Sequence, residues 1–305
     1  MYFRPCLQEH PVITVGYLNC LGQTGFTISK QKQLETFLQN NQIDILHLQE
    51  TKIEDDTFAE CNFIASNYSV LQNNNQNQYG TASLVRNSYF PEDVILHQSG
   101  RIIIFNIGNT TFGNVYLPSG TDGQSRASRE SFSGEIIPTL MINSRPNGLI
   151  GGDWNNIISP VDCTNHPESK LSPCLKRVVK TFSWSDTYRS LYPDEQCFSH
   201  YYSNPRSGPG GTRIDRAYSY GDLVPTEAKY ISVAFSDHLS YIVTLKAPDH
   251  MKTLISPKSR PFFKTKPNVV KDKLFQARLA EHMQEWEAVR IYGVPTIHHH
   301  PPNPT

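Results

Sequence analysis

The feature that most constrains this chain is a succession of short apolar runs, separated by turn-forming residues and often closed by polar clusters. Segments 12–18, 43–48, 81–85, 101–107, 111–117, 148–151, 199–203, 214–219, 230–234 and 241–245 each read as a strand, being short, β-branched or aromatic and bounded by Gly, Pro, Asn or Ser. Helical periodicity is confined to fewer places. Segment 29–40 carries Leu34, Phe37 and Leu38 on one face, with Ser29 as candidate N-cap. Segment 128–142 contains Pro138, which predicts a kink, and 174–182 is a shorter helix. The Asn/Gln-rich stretch 72–78 reads as a surface loop. Many strands with few helices predict an α/β fold, a four-layered sandwich of two mostly antiparallel sheets flanked by helices.

Composition narrows the class. The chain has 305 residues, of which 38% are hydrophobic and 18% charged. That excludes collagen-like, disulfide-dense and acidic disordered chains. Lys plus Arg and Asp plus Glu both number 28, so there is no bulk basic charge to announce a nucleic-acid partner. The balance hides a partition, however: residues 11–245 carry a net charge of −5 and residues 246–305 one of +5. The six cysteines form no C-x-x-C pair, which argues against a zinc ribbon or redox motif and for thiols in a reducing compartment. The N-terminus lacks the apolar core of a signal peptide, and no apolar run is long enough to span a membrane. A soluble intracellular protein is expected.

Composition also predicts the domain plan: an extension over 1–10, a main folded domain over 11–247, and a Pro-rich basic linker over 248–267. A helical segment over 268–290, including Trp286, and a disordered His/Pro-rich tail over 291–305 complete it.

The polar clusters carry the chemistry. Asn19 ends the first strand, and Gln49-Glu50-Thr51 ends the second. Gly151-Gly152-Asp153-Trp154-Asn155 ends a third, and Ser236-Asp237-His238 precedes the last. Arg213-Ile214-Asp215-Arg216 lies between them. Phosphodiester hydrolysis needs a hard divalent cation, a base for water and donors for phosphate oxygens. Glu50 and Asp237 suit Mg²⁺ (or Mn²⁺), with Asn19 beside them. Asp153 suits the base. Asn155 and Asn19 suit neutral phosphate donors, and His238, oriented by Asp215, suits a donor to developing charge.

In order, L-N, L-Q-E-T, G-N-V-Y-L-P, G-G-D-W-N, R-I-D-R and S-D-H resemble the endonuclease/exonuclease/phosphatase superfamily from about residue 13 to 246. Within it, G-G-D-W-N-N-I-I-S-P-V-D, T-R-I-D-R and S-R-P-F-F-K are similar to the apurinic-like endonuclease domain of LINE-type (non-LTR) retrotransposons. The resemblance implies Glu50 as metal ligand, Asp153 serving the water, Asn155 on phosphate, His238 paired with Asp215, and Tyr116 against the phosphate. It implies a single-strand nick in duplex DNA that leaves a 3′-OH for target-primed reverse transcription. The reverse transcriptase and the element RNA would be partners in the full-length protein, and the nucleus its location.

The turn-forming run 203–211 falls where that family has a groove-probing hairpin, which makes Asn204 and Arg206 candidate DNA contacts. Ser199, Arg213, Arg216 and Ser236 are further candidates. Competing readings are an abasic-site repair nuclease, a deadenylase or an inositol-phosphate phosphatase. The phosphatases usually carry W-x-D-R-I, whereas this chain has T-R-I-D-R. A catalytically inactive DNA-binding module is disfavoured, because Glu50, Asp153, Asn155, Asp215, Asp237 and His238 are all present.

Overall fold

The alternating apolar runs pair into sheets because each has one face to bury. The computed structural model describes residues 12–21, 26–52, 57–58, 61–75, 79–165, 168, 170–204 and 208–246, all within one compact unit, Met1–Pro257. The expected segments 1–10, 248–267, 268–290 and 291–305, and Arg206, lie outside the described residues.

Strands are β1 Val12–Asn19, β2 Ile45–Gln49, β3 Tyr68–Asn75, β4 Tyr79–Arg86, β5 Glu92–Leu96, β6 Ile102–Ile107, β7 Thr110–Tyr116 and β8 Asn147–Asp153. They continue with β9 Ser185–Asp186, β10 His200–Asn204, β11 Gly208–Thr212, β12 Asp215–Tyr220, β13 Val224–Ser232 and β14 Leu239–Lys246. Helices are α1 Ile28–Asn40, α2 Asn62–Asn67, α3 Gly123–Ser131, α4 Ile137–Leu140, α5 Pro173–Thr181 and α6 Thr187–Leu191. Among the described residues, one six-stranded sheet runs β13-β14-β1-β2-β4-β3 and another β5-β6-β7-β8-β12-β9. β1 and β2 are parallel in the first sheet, and β7 and β8 are parallel in the second. The other neighbours are antiparallel. β10 and β11 form a separate hairpin.

The inner faces meet in one core, Ile13, Val15, Tyr17 and Val243 from one sheet against Phe105, Phe112, Leu149 and Ala217 from the other. The outer face of the first sheet packs Leu46 and Leu48 under Leu34, Phe37 and Leu38 of α1. Each fully buried leucine there contributes about 1.5–3 kcal/mol. The second sheet packs Ile104, Val115 and Ile150 under Phe132, Ile137 and Leu175. This is the four-layered sandwich.

Several local expectations need correction. Thr27, not Ser29, caps α1, its Oγ1 accepting the Lys30 N–H at 3.3 Å. The helix expected over 128–142 is broken as Pro138 demands: Phe132–Ile136 widens into a π-turn before α4, with the proline in the first turn of the new segment. The Asn/Gln-rich run is no simple loop, since Gln72–Asn75 pair with β4. No helix among the described residues is long and apolar enough to cross a membrane.

Candidate active site

Parallel pairing places strand ends side by side. Asn19 and Gln49 are register partners at the C-terminal ends of β1 and β2, as are Tyr116 and Asp153 for β7 and β8. Antiparallel β12 begins at Asp215, opposite Asp153. The backbone before β14 brings His238 into a bridge with His200. One edge of the sandwich therefore gathers the polar clusters.

Asp153 sits at its centre, 1% exposed. Its Oδ2 accepts the side-chain amides of Asn19 and Asn155, each at 3.0 Å, and its Oδ1 accepts the Asn155 backbone N–H at 2.9 Å. Asp215 Oδ2 holds His238 Nδ1 at 2.7 Å, which leaves Nε2 as the ring's second nitrogen for chemistry. Asp153, Asp215 and His238 each bring a ligand atom within 4.8 Å of the others. A second such group is His200, Asp237 and His238. Neither contains Glu50, which joins the site through the Tyr116 hydroxyl donating to its Oε1 at 2.9 Å.

Crowding of these charges shifts them. Burial first, and then Asp215, push the Asp153 carboxyl up to about 7, against the opposing pull of His238. Burial alone would lower His238, but the Asp215 carboxylate overrides it and raises the imidazole to about 10. Tyr116 is driven upward by burial and by Glu50, so it remains a donor.

The donor set suits a hard divalent cation. Asp153 and Asp215 bring carboxylate oxygens together, Asp215 Oδ1 is buried without a hydrogen-bond partner, and Asp237 and Glu50 adjoin them through His238 and Tyr116. Two adjacent buried carboxylates repel one another unless positive charge lies between them.

Four expected roles change. Arg213 and Arg216 are 1% and 0% exposed and reach no phosphate. Arg213 is clamped by Asp162 and Asp186, with Nε at 2.8 Å from Asp162 Oδ1 and Nη2 at 2.6 Å from Asp186 Oδ2. Arg216 binds the Asn156 carbonyl and side chain, each at 2.8 Å. Both therefore brace the loop after Asp153. Ser199 is fully buried, and its Oγ accepts the N–H groups of Ile214 and Asp215 at 3.1 and 3.0 Å. It positions Asp215 rather than touching DNA. Asn155 is not a free phosphate donor, because its Nδ2 already donates to Asp153 and to the Leu117 carbonyl.

Ser236 donates to the Asn19 carbonyl at 2.6 Å and accepts the His238 N–H at 3.0 Å, joining two site strands. Asn204 pairs with Gly208 at the hairpin end. Sequence reasoning missed His200, whose ring lies 4.7 Å from that of His238 and whose Nε2 is 3.7 Å from Asp237. It also missed Asn114, which bridges the sheets beneath Glu50 by donating to the Leu48 and Ala82 carbonyls and accepting from Gln49. An Asn in a strand carries no signal of its cross-sheet partner. A His beside a Tyr-rich strand could have been flagged.

Two stacked mixed sheets with an acidic–histidine cluster at one edge define the DNase I-like class of sandwich. The sequence matches the Endonuclease/Exonuclease/phosphatase family over residues 16–238, and the chain belongs to that family. Solved structures with the same fold include an AP endonuclease from Archaeoglobus fulgidus, 19% identical, covering 77% of this chain and 100% of that one, TM-score 0.64. A 3′-5′ exonuclease (NExo) from Neisseria meningitidis is 17% identical, covering 77% and 100%, TM-score 0.61. A truncated TDP2 from Caenorhabditis elegans is 21% identical, covering 77% and 98%, TM-score 0.54. No curated protein matches the chain at a significant level.

Proposed function

We propose that this protein is a divalent-metal-dependent DNA endonuclease that nicks one strand and leaves a 3′-OH. The observation that carries this is the buried pairing of Asp153, oriented by two asparagine amides, with the Asp215–His238 couple beside it. Mg²⁺, held by Glu50 and Asp237 with Asn19 nearby, would neutralise charge on the scissile phosphate and its leaving oxygen. Asn19 and Asn155 fix the Asp153 carboxylate, so a proton from water has a defined acceptor. Burial and the neighbouring Asp215 raise the Asp153 carboxyl, which makes it a better acceptor for that proton. His238, kept protonated by Asp215, presents Nε2–H to a phosphoryl oxygen as negative charge grows there. Tyr116 orients Glu50.

The DNA reading draws support from the β10–β11 hairpin beside His238, and from neighbours of this fold that act on DNA, one being a Neisseria 3′ phosphatase bound to a product DNA hairpin. The order of motifs favours a retrotransposon endonuclease acting in the nucleus, whose nick primes reverse transcription by a fused reverse transcriptase on element RNA. The test compares a plain duplex, an abasic duplex and an inositol phosphate, with polymerase extension from each new end. The expected result is cutting of plain duplex with extendable ends. Turnover confined to the abasic duplex or the inositol phosphate would assign another activity.

A further inference from the structure

A cavity of about 90 Å³ opens beside Asn155, lined also by Gly120, Thr121, Arg129, Lys170 and Ile214. That is room for several waters, and so for a compact anion. Two of its walls are cationic. Arg129 is only 4% exposed, anchored through Nη1 to the carbonyls of Pro118 and Gly120 at 2.9 and 2.8 Å. Lys170 lies with its ammonium 5.1 Å from the Tyr202 ring centroid. Among the described residues, neither cation has a carboxylate within ion-pair distance. Lys170 is also held in place by its backbone: its carbonyl accepts the Ile157 N–H at 2.9 Å, and Ser172 donates to the Ile157 carbonyl at 2.9 Å. A buried and a half-buried cation without counter-ions, fixed around a cavity, are organised for a negative ligand from outside.

The cavity communicates with the chemistry through one side chain. Asn155 lines it and donates to Asp153 Oδ2 at 3.0 Å. An anion there lies one residue beyond the group that serves the water. We propose that Arg129 and Lys170 form a subsite for a backbone phosphate next to the scissile one in the bound strand. This inference rests on the nucleic-acid reading above. The stacked rings of His200 and Tyr202, 6.2 Å apart, run from His238 towards Lys170 and give the strand an aromatic path between the two phosphates. The subsite thus fixes register along the strand and contributes affinity without reading sequence.

The test uses the full chain with Ca²⁺ in place of Mg²⁺, and measures anisotropy of a short labelled duplex against NaCl. Lys170→Gln should weaken binding about 3- to 10-fold, equally for unrelated sequences. It should also lower the slope of log affinity against log salt by about 0.9. Lys170→Arg, which keeps the charge, should restore the slope. A scan of single neutral methylphosphonates should find one position beside the cut whose effect disappears in Lys170→Gln. If wild type binds and nicks duplex but Lys170→Gln keeps its slope and no such position exists, the subsite is refuted while the nuclease reading stands. A wild-type protein that neither binds nor nicks duplex overturns both.

Discussion

Asn114 is the most informative single residue for the architecture of the site. It lies on β7 at 0% exposure, yet its hydrogen bonds go to the opposite sheet: Nδ2 donates to Leu48 and Ala82 carbonyls at 3.0 and 2.9 Å, and Oδ1 accepts Gln49 Nε2 at 2.7 Å. Asn114→Leu conserves volume and opens no large cavity, so its cost isolates the polar bridge. Each bond contributes about 1 kcal/mol, and each buried group left unpaired costs about 1–3 kcal/mol. With partial relaxation, the variant should lose about 3–5 kcal/mol, a large part of the ~5–15 kcal/mol typical of a domain. Urea unfolding at neutral pH measures this. In a cycle with Gln49→Leu, the coupling between the two should be about 1 kcal/mol or more, because they share one bond. A loss below about 1 kcal/mol for Asn114→Leu, or strict additivity with Gln49→Leu, would refute the claim that this bridge holds the sheets together under the site.

Three other outcomes follow from single positions. Gly152 has φ of +137°, and a Cβ there would sit 2.0 Å from the Val115 carbonyl oxygen; Gly152→Ala should therefore destabilise by about 3 kcal/mol or more and displace Asp153, read by thermal unfolding. His47 is buried, with burial pulling it down to about 3, so the unfolded chain binds its proton first as pH falls and stability declines below about 6.5. His47→Phe should remove that dependence, changing its stability relative to wild type by about 2 kcal/mol between pH 7 and pH 5; a constant difference across that range would contradict it. Asp215→Asn should lower kcat by about 10³-fold with little change in KM, through loss of the imidazole's orientation and charge, and near-normal kcat would remove His238 from the chemistry.

The architecture was legible because sheet-forming runs are local, and because polar clusters at strand ends keep their order along the chain. Asp153, Asp215 and His238 were readable for that reason, although 62 residues separate the first two. What escaped was whatever depends on distant partners. Arg213 looks like a phosphate contact until Asp162 and Asp186 close on it from elsewhere in the chain. Ser199 looks like a surface hydroxyl until the Asp215 N–H is found on it. The Asn/Gln-rich start of 72–78 lacks β propensity, and it becomes strand because β4 offers a partner. Lys170 carried no signal at all; its significance comes from a loop that folds beside Asn155.

The central claim is that one metal-dependent centre, organised around Asp153, hydrolyses the DNA backbone. The most direct measurement is conversion of supercoiled plasmid to open circle with Mg²⁺, with and without EDTA, for wild type and Asp153→Asn. The account predicts nicking by wild type, arrest by EDTA, and a loss of about 10³-fold or more in Asp153→Asn with the thermal transition retained. Nicking that persists in EDTA, or at wild-type rate in Asp153→Asn, would contradict it.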